Sequence, residues 1–388
     1  MTAAGDEPVE RLRRALGSVI DPELRRPLSE LGMIAGVELA EDGTARVQVR
    51  LTVVGCPAAD RIERDVREAA LAAPGVSSAE VVLSVMTPEE RGALAERLRA
   101  GRAARANPFG AGTLTRVIAV TSGKGGVGKS TVTANLAVEL ASRGLAVGVV
   151  DADVFGFSIP GLLGLLDAHG RAPSPVRLDD LIVPPVAFGV KAISIGMFLP
   201  PGSDGAVSWR GPMLHRTLSQ FLTDVHFGDL DVLLLDLPPG TGDVAISAGQ
   251  LLPDAEVLVV TTPQRAAAEV AERSAVVARQ TGQRVVGVVE NMAGLPGADG
   301  SVLELFGAGG GEEAAHRLSR PGEPPVEVLA RIPLSVALRE GGDEGVPVVA
   351  GRPEDPAAVA LRGLADALLR RGRAAPLAGR PLPVSPAG

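Results

Sequence analysis

Residues 117–130 read VIAVTSGKGGVGKS and carry the strongest indication of the fold. Four apolar residues lead into a loop that contains four glycines and ends in Lys129 and Ser130. The order matches G-x-x-x-x-G-K-[ST], a loop between a strand and a helix that wraps phosphate groups. Residues 130–143 have the length of that helix, and Gly144 ends it. The stretch therefore predicts a phosphate-binding loop at the carboxyl end of a buried strand.

Each residue type in this loop has a task in phosphate binding. Glycines let backbone N–H groups face phosphate oxygens, and the helix start adds its positive end. Lys129 supplies charge to the β- and γ-phosphates, and Ser130 is a ligand for Mg²⁺. The alternative, a glycine-rich turn that binds nothing, is disfavoured by the strand–loop–helix context. The residues expected to hold the nucleotide are Gly123, Lys124, Gly125, Gly126, Val127, Gly128, Lys129, Ser130 and Thr131.

Beyond the loop, apolar strands alternate with segments of helix length. Further strand-like runs occupy residues 146–150, 232–235, 257–260 and 285–289. Their hydrophobicity is continuous rather than alternating, which indicates that both faces of each strand are covered. With no Tyr, one Trp and eight Phe, the core must be built from aliphatic side chains. These features predict an α/β fold with a doubly wound, mostly parallel sheet, as in P-loop NTPases.

A small α+β domain is predicted before the P-loop, over residues 8–90. It combines helical patterns at 10–19 and 58–73 with strand patterns at 45–51 and 79–85. The large P-loop domain is then expected to span 114–372.

Two segments are expected to lack a packed structure of their own. Residues 91–113 are rich in Arg and Ala, end in the turn-forming run NPFGAG and are assigned to a linker. Their arginines fit a solvated basic helix better than an anion contact. Residues 373–388 are rich in Pro, Gly and Ala and are assigned to a disordered tail.

Composition excludes several functional classes. The net charge of −8 disfavours nucleic acid as the main partner. A single Cys excludes a disulfide framework within the chain. The first residues carry no apolar segment of a secretion signal, and no apolar run reaches the roughly 18 residues that span a bilayer. We therefore expect a cytoplasmic protein without a membrane partner.

Three carboxylates follow buried strands of the predicted sheet. Asp151 and Asp153 come after the run 146–150, and Asp236 follows 232–235. Because the carboxyl ends of parallel strands face the ligand crevice, we expect these side chains near the phosphate loop. Carboxylates at strand ends are otherwise solvated caps, but three around one phosphate loop favour a functional site.

The run after Asp236 reads LPPGTGD and predicts a mobile switch. An Asp at the end of this strand holds Mg²⁺ through water in P-loop enzymes. The N–H of Gly240 lies where it would sense the γ-phosphate, so that hydrolysis would move the loop.

Lys124, next to the first glycine of the loop, resembles the signature lysine of the MinD/ParA/nitrogenase-iron-protein class. In that class the lysine reaches across a dimer. The resemblance implies a homodimer with ATP sandwiched between protomers, in which Lys124 of one protomer neutralises charge on the other protomer's ATP. The alternative is a lysine that is only solvated.

The ordered set of motifs resembles the Mrp/ApbC family of iron–sulfur cluster carrier ATPases over nearly the whole chain. The set comprises TSGKGGVGKS, DADVFGFSIPGLLG, DLPPGTGD, VVTTPQ, VENM, LFGAGGGEEAA and RIPL. The N-terminal domain resembles the SufT-like assembly domain through DPEL at 21–24, LGMI at 31–34 and LTVVGCP at 51–57. The family implies an ATPase that delivers clusters to apoproteins, with those clients and iron–sulfur assembly proteins as partners.

The resemblance also assigns roles to single residues. It makes Asp151 a ligand of Mg²⁺ through water and Asp153 the residue that orients the attacking water. Lys124, Lys129 and Asp153 are then the catalytic set.

The purine site is implied in the same way. Asn291 and Pro333 match the positions where this class holds the purine. Since an Asn side chain offers both a donor and an acceptor to adenine, we expect ATP rather than GTP.

Cys56 is the sole thiol, and it lies between a strand and the predicted helix 58–73. A helix N-terminus lowers a thiol pKa and favours the thiolate that binds metal. A lone Cys is otherwise a small buried apolar residue. The family resemblance favours a functional thiol, with Asp21, Glu23 and Thr52 as neighbours.

The chain departs from the family at the cluster ligands. Members that hold a cluster between protomers place Cys-x-x-Cys between the ENM and FG-x-GGG segments, whereas residues 293–302 read AGLPGADGSV. A dimer would bring two copies of Cys56, while a [4Fe–4S] cluster needs four thiolates. Either cluster handling uses Cys56 with exogenous thiols or a partner's ligands, or it has been lost and the chain is an ATPase with another cargo.

Two other functions remain open from the sequence. One is a MinD/ParA-like switch without a cluster, for which residues 361–371 are a basic amphipathic candidate for membrane contact; a helix packed on the domain explains the same pattern. The other is electron transfer, which needs bridging cysteines that the chain lacks.

Overall fold

The structure is a computed structural model that describes residues 6–53, 58–99, 107–154, 156–199, 211–297 and 299–372. Residues 373–388, assigned above to a disordered tail, lie outside the described residues, as does Cys56. Among the described helices, none is both long and apolar enough to cross a membrane.

The N-terminal unit is a three-stranded sheet covered by helices. Its elements are α1 (Asp6–Leu16), β1 (Ile34–Leu39), β2 (Thr44–Leu51), α2 (Ala59–Leu71), β3 (Ser78–Val85) and α3 (Pro88–Arg99). Strand β2 is central and pairs antiparallel with β1 and parallel with β3. Alternate residues of β2 are buried, as the period of a half-buried strand requires.

Helix α3 occupies residues that the sequence assigned to the start of the linker. Leu94, Ala95 and Leu98 are buried in the core of the N-terminal unit. Three apolar residues in an Arg- and Ala-rich stretch were too few to reveal a packed face, so residues 91–99 are helical here rather than a linker. The other domain bounds stay predictions.

The large unit is built on an eight-stranded sheet. The strands of this unit are β4 (Arg116–Ser122), β5 (Val147–Asp151), β6 (Val176–Leu178), β7 (Leu181–Val183), β8 (Val186–Ala187), β9 (Val190–Ser194), β10 (Val232–Asp236), β11 (Glu256–Thr261), β12 (Arg284–Asn291), β13 (Leu295–Pro296), β14 (Val302–Leu303) and β15 (Val328–Ile332). Of these, β6 pairs with β7 and β13 pairs with β14 outside the large sheet. The sheet order is β15-β12-β11-β4-β10-β5-β9-β8, and every pair is parallel except β8–β9.

Helices cover both faces of this sheet, and a separate apolar core lies on each face. They are α4 (Lys129–Ser142), α5 (Ile159–Leu162), α6 (Gly211–Thr223), α7 (Asp243–Leu251), α8 (Arg265–Gln280), α9 (Gly310–Leu318), α10 (Val336–Glu344), α11 (Val348–Gly351) and α12 (Pro356–Arg371), with a 3-10 turn at Ile195–Phe198. The predicted α/β fold with a doubly wound, mostly parallel sheet and a small N-terminal domain is confirmed.

Residues 361–371, the candidate for membrane contact, lie within α12. Leu361, Leu364 and Leu368 are each no more than 1% exposed and pack into the core on one face of the sheet. The apolar side of this helix is therefore used inside the domain, as the packed-helix interpretation requires.

The two units share a core through a hairpin of the large unit. Strands β6 and β7 pair antiparallel, and their side chains Val176, Leu178, Leu181 and Val183 belong to the apolar cluster of the N-terminal unit. At this joint, a guanidinium N–H of Arg25 also donates to the carbonyl of Gly189. The small unit is thus packed onto the large one rather than tethered by chain alone.

Candidate nucleotide site

The phosphate loop runs from the end of β4 to the start of α4 in the centre of the large sheet. Gly126 and Gly128 adopt φ of +77° and +79°, a conformation that L side chains rarely adopt. A Cβ on Gly128 would lie 2.2 Å from Nδ2 of Asn291, so this position has no room for a side chain. The loop lines a cavity of about 700 Å³ with Asp153 and Pro239 on its other walls.

A compact polar network lies beneath the loop. Nζ of Lys129 is 2.7 Å from Oδ2 of Asp236, and the hydroxyl of Ser130 donates to the same oxygen at 2.5 Å. Thr133 donates to Oδ1 of Asp236 at 2.9 Å. Asp236 is fully buried and Lys129 is 6% exposed, so water screens their attraction weakly. The first turn of α4 and the end of β10 are held together at the point where Mg²⁺ and phosphate would bind.

Asp151 ends β5 directly beside Asp236, its register partner on β10. Its carboxylate accepts hydrogen bonds from the N–H groups of Ser158 and Ile159 at 3.1 and 3.2 Å, and from the hydroxyl of Ser194 at 3.1 Å. Burial, followed by the charge of Asp236, raises the pKa of Asp151 to about 8. A bound cation would offset both the cost of burying the charged Asp151 and its repulsion by Asp236. This pair of carboxylates therefore suits the edge of a Mg²⁺ site.

Asp153 lies at the mouth of the same cavity. Its carboxylate accepts the N–H of Gly156 at 3.1 Å and is 3.9 Å from Nζ of Lys129. At 8% exposure it is held in place but still borders the cavity.

The switch loop is closed against the phosphate loop. The N–H of Gly240, predicted to sense the γ-phosphate, donates here to the carbonyl of Ser122 at 2.8 Å. To contact the γ-phosphate, the N–H of Gly240 would have to exchange its hydrogen bond with Ser122 for one with a phosphate oxygen.

Asn291 is found at the end of β12, beneath the phosphate loop. Its Nδ2 donates to the carbonyl of Val127 at 2.8 Å, and its side chain is buried. A neighbouring cavity of about 600 Å³ is lined by Asn291, Pro333, Thr131 and apolar side chains that include Leu295. The structure thus brings together the residues predicted for the purine, and it shows a second contact of Asn291 that fixes the loop.

Lys124 lies in the phosphate loop, and its side chain contacts Gln264. Its Nζ donates to Oε1 of Gln264 at 2.7 Å, at the start of α8. The side chain is partly exposed and sits apart from the Lys129–Asp236 network.

The residues present fit Mg²⁺ and a nucleotide. Magnesium binds through one or two carboxylates, phosphate oxygens and retained waters rather than through a full protein cage. Ser130 and Asp236 supply such oxygens. Within the part of the chain that the structure describes, no three His, Cys, Asp or Glu side chains converge on a further metal site.

The predicted neighbours of Cys56 lie in the N-terminal unit. Oδ1 of Asp21 accepts the N–H groups of Glu23 and Leu24 at 2.9 and 2.7 Å, and Thr52 is 5% exposed. Burial raises the pKa of Asp21, and burial together with the charge of Asp21 raises the pKa of Glu23 to about 7. Because Cys56 lies outside the described residues, whether these groups surround it stays a prediction.

The segment after Asn291 presents exposed apolar side chains. It lies in the interval in which the resemblance described above predicts the Cys-x-x-Cys ligands. Strands β13 and β14 form a short hairpin there. Its exposed apolar side chains and those just after it are Leu295, Val302, Leu303, Leu305 and Phe306.

Sequence reasoning missed two hydroxyls at the site. Thr133 lies three residues after Ser130 on the same face of α4, so helical spacing was a usable signal. Ser194 ends β9, a strand that was not predicted because Lys191 interrupts its apolar run. No local pattern connects Ser194 with Asp151.

Both units of the chain resemble known protein families. A family profile described as NUBPL iron-transfer P-loop NTPase matches residues 113–369, and one described as iron-sulfur cluster assembly protein matches residues 10–82. The chain is 52% identical over 376 residues to the iron-sulfur cluster carrier protein of Mycobacterium tuberculosis, covering 97% of this chain and 96% of that protein.

Two further relatives are more distant. The iron-sulfur cluster carrier protein of Synechocystis is 40% identical, covering 90% of this chain and 94% of that one. A solved nucleotide-binding protein from Archaeoglobus fulgidus in complex with ADP is 38% identical with a TM-score of 0.49, covering 59% of this chain and 86% of its own. The carrier relatives match almost end to end, which includes both units.

Proposed function

The chain belongs to the NUBPL iron-transfer P-loop NTPase family, and on that premise we propose that it is a Mg²⁺-dependent ATPase that carries iron–sulfur clusters to apoproteins. The observation that carries this proposal is the polar network beneath the phosphate loop. Lys129 and Ser130 both contact one carboxylate oxygen of Asp236 at 2.7 and 2.5 Å. Burying these charges has a desolvation cost, and the same residue types hold phosphate and Mg²⁺ in phosphoryl transfer by P-loop NTPases.

In this proposal Mg²⁺ offsets charge on the phosphates. Ser130 and Asp236 hold the ion, directly or through water, and Asp151 takes a place in the outer shell. Lys129 stabilises the charge that develops on the β- and γ-phosphates. Asp153, which borders the cavity, orients the water that attacks the γ-phosphate.

The purine is assigned to the cavity beside Asn291 and Pro333. Asn291 uses one of its amide hydrogens on the carbonyl of Val127, so its second hydrogen and its Oδ1 remain for the adenine edge. The largely apolar walls of this cavity suit a purine ring. We therefore propose ATP as the nucleotide.

We assign the working form to a homodimer that sandwiches two ATP molecules. Lys124 lies outside the network of its own chain, held to Gln264 by one exposed hydrogen bond. Exchange of that bond for a phosphate of the partner's ATP would require little rearrangement. We place this cycle in the cytoplasm, where ATP is available.

The cargo is assigned to Cys56 together with ligands from outside the chain. Residues 293–302 contain no thiol, and a dimer has two copies of Cys56 against the four thiolates of a [4Fe–4S] cluster. A cluster held with small thiols or with ligands of a client protein would be bound weakly and passed on readily. Apoprotein clients and iron–sulfur assembly proteins are the partners that this carrier requires.

Cluster transfer tests the proposal. Protein reconstituted anaerobically with iron, sulfide and glutathione is mixed with an apo-enzyme whose activity needs a [4Fe–4S] cluster. We expect activation of the acceptor to depend on the carrier and on ATP with Mg²⁺. The Lys129→Ala variant should lose the ATP dependence. Equal activation with and without the carrier would contradict the proposal.

A further inference from the structure

A second cavity, of about 450 Å³, lies where the two units meet. The N-terminal unit contributes residues 24–26 and 97–98, and the large unit contributes residues 146–147, 191 and 226–230. We call it the joint cavity. Its volume lies within the range of ordinary small-molecule sites, which often form between domains.

The joint cavity gathers basic side chains in a chain whose net charge is −8. Five of its lining residues are basic and one, Asp229, is acidic. The basic ones are Arg25, Arg26, Arg97, Lys191 and His226. A cleft lined mainly by one sign of charge concentrates ions of the other sign. The ligand that this lining selects is therefore an anion.

Lys191 forms the floor of the joint cavity. It is one of three lysines in the chain, and the other two, Lys124 and Lys129, lie in the phosphate loop. Its side chain is 5% exposed, its Nζ donates to the carbonyl of Phe227 at 3.0 Å, and its charge acts on the buried carboxylate of Asp21. Lys191 is thus anchored inside the protein and adds its positive charge to the wall of the cavity.

Two arginines of the N-terminal unit are fixed by backbone carbonyls. Arg97 donates to the carbonyls of Leu31, Ala93 and Glu30 at 3.1, 3.3 and 3.4 Å, and Arg25 donates to that of Gly189. A guanidinium has five N–H donors in a rigid fork that matches phosphate and carboxylate oxygens, so donors remain after these bonds. Arg26 differs, since it is paired with Glu30 at 3.1 Å.

Arg25 also has a strained backbone. Its φ of +55° lies in the left-handed region that residues other than glycine seldom adopt. Such outliers concentrate at ligand sites, where the surrounding structure enforces them. Here the strained residue is Arg25, whose side chain lines the joint cavity.

We propose that the joint cavity binds a small oxyanion with two or more negative charges, either phosphate-bearing or polycarboxylate. The anion is held between Arg25 and Arg97 of the N-terminal unit and Lys191 of the large unit. It joins the two units and fixes how one sits on the other. This site is separate from the nucleotide site and independent of the carrier function proposed above.

Titration calorimetry tests this site on the full chain saturated with Mg²⁺ and a non-hydrolysable ATP analogue, so that the γ-phosphate position of the nucleotide site is filled. Inorganic phosphate and citrate are titrated separately, with excess Mg²⁺ throughout and a protein-free blank that subtracts the heat of Mg²⁺–citrate binding. We expect one saturable binding event per chain that weakens as salt is raised. Tighter binding of phosphate would identify a phosphate-bearing ligand, and tighter binding of citrate a polycarboxylate.

Variants locate the binding event. Arg97→Ala is expected to weaken affinity about tenfold or more, since it removes charged hydrogen bonds. Lys191→Met should do the same. Thermal unfolding of Arg97→Ala checks that loss of its bonds to Leu31 and Glu30 leaves the protein folded. Arg46→Ala is the matched control, because Arg46 is an exposed arginine that pairs with Glu80 away from the cavity. Absence of saturable binding to the wild type, or equal affinity in Arg97→Ala and Arg46→Ala, would overturn the proposal.

Discussion

Two loops leave the same edge of the large sheet, and they differ in burial and in charge. The phosphate loop after β4 is tied down by buried charge, with Lys129 and Ser130 on Asp236 and Asn291 on its backbone. The segment after β12 contains a short hairpin with exposed apolar side chains, and residues 293–306 include no thiol. The chain thus brings together the groups proposed for nucleotide chemistry but supplies few ligands for a cluster. Hydrolysis should therefore be intrinsic to the chain, whereas cargo binding should depend on outside ligands.

The largest effect is expected at Lys129. Lys129→Ala removes the charge that stabilises the phosphates in the transition state and leaves the buried carboxylate of Asp236 without its cation. We expect the rate of ATP hydrolysis to fall by a factor on the order of a hundred to a thousand. A phosphate-release assay measures this loss, with thermal unfolding as the control for folding. A loss smaller than about threefold would contradict the claim that the phosphate loop supplies the groups for hydrolysis.

A smaller loss is expected for Lys124→Ala, on the order of tenfold to a hundredfold, because the proposed role of this lysine is to stabilise charge on the partner's nucleotide. Mixing Lys124→Ala with Lys129→Ala should restore part of the activity. In the mixed dimer, one site then has its own Lys129 and receives Lys124 from the other protomer. A mixture with no more activity than the two variants measured separately would show that Lys124 does not act in trans.

Asn291→Ala should weaken ATP binding about tenfold, since both a base contact and the tether to Val127 are lost. The tether predicts weaker ADP and inorganic phosphate binding as well, whereas a base contact alone would leave phosphate binding unchanged. Calorimetry with each ligand separates these two contributions. Asn291→Asp is the matched control of similar size, because it removes the amide donors but keeps an acceptor.

The smallest effect is expected in the exposed hairpin. Leu303, at 58% exposure, buries little surface, so Leu303→Asn should change the free energy of unfolding by less than about 0.5 kcal/mol. ATP hydrolysis should stay within about twofold of the wild type. A large loss of hydrolysis would mean that the hairpin takes part in the nucleotide cycle and that the two loops are not separable.

Local and periodic features were predictable from the sequence. The phosphate loop follows from the spacing of glycines, Lys129 and Ser130, because that motif is contiguous in the sequence. Asp151 and Asp236 follow from their place after apolar strands, since parallel strands end at one edge. Thr133 was within reach of the same reasoning on helix spacing.

Long-range partners were not predictable. Strand β9 carries a buried lysine within an apolar run, and Ser194 at its end meets Asp151 only through the sheet. Helix α3 presents three apolar residues among charges, too few to distinguish it from a linker. Asn291 lies at the end of β12 and its purine contact stays a prediction, while its contact with Val127 depends on how β12 lies under the loop.

Iron and sulfide content after anaerobic reconstitution with glutathione tests the central claim most directly. The wild type and Cys56→Ala are measured after gel filtration, with and without ATP. The account predicts that the wild type retains iron and sulfide in equal amounts and that Cys56→Ala retains almost none. Equal, near-zero loading of both proteins would contradict direct carriage of a cluster by this chain.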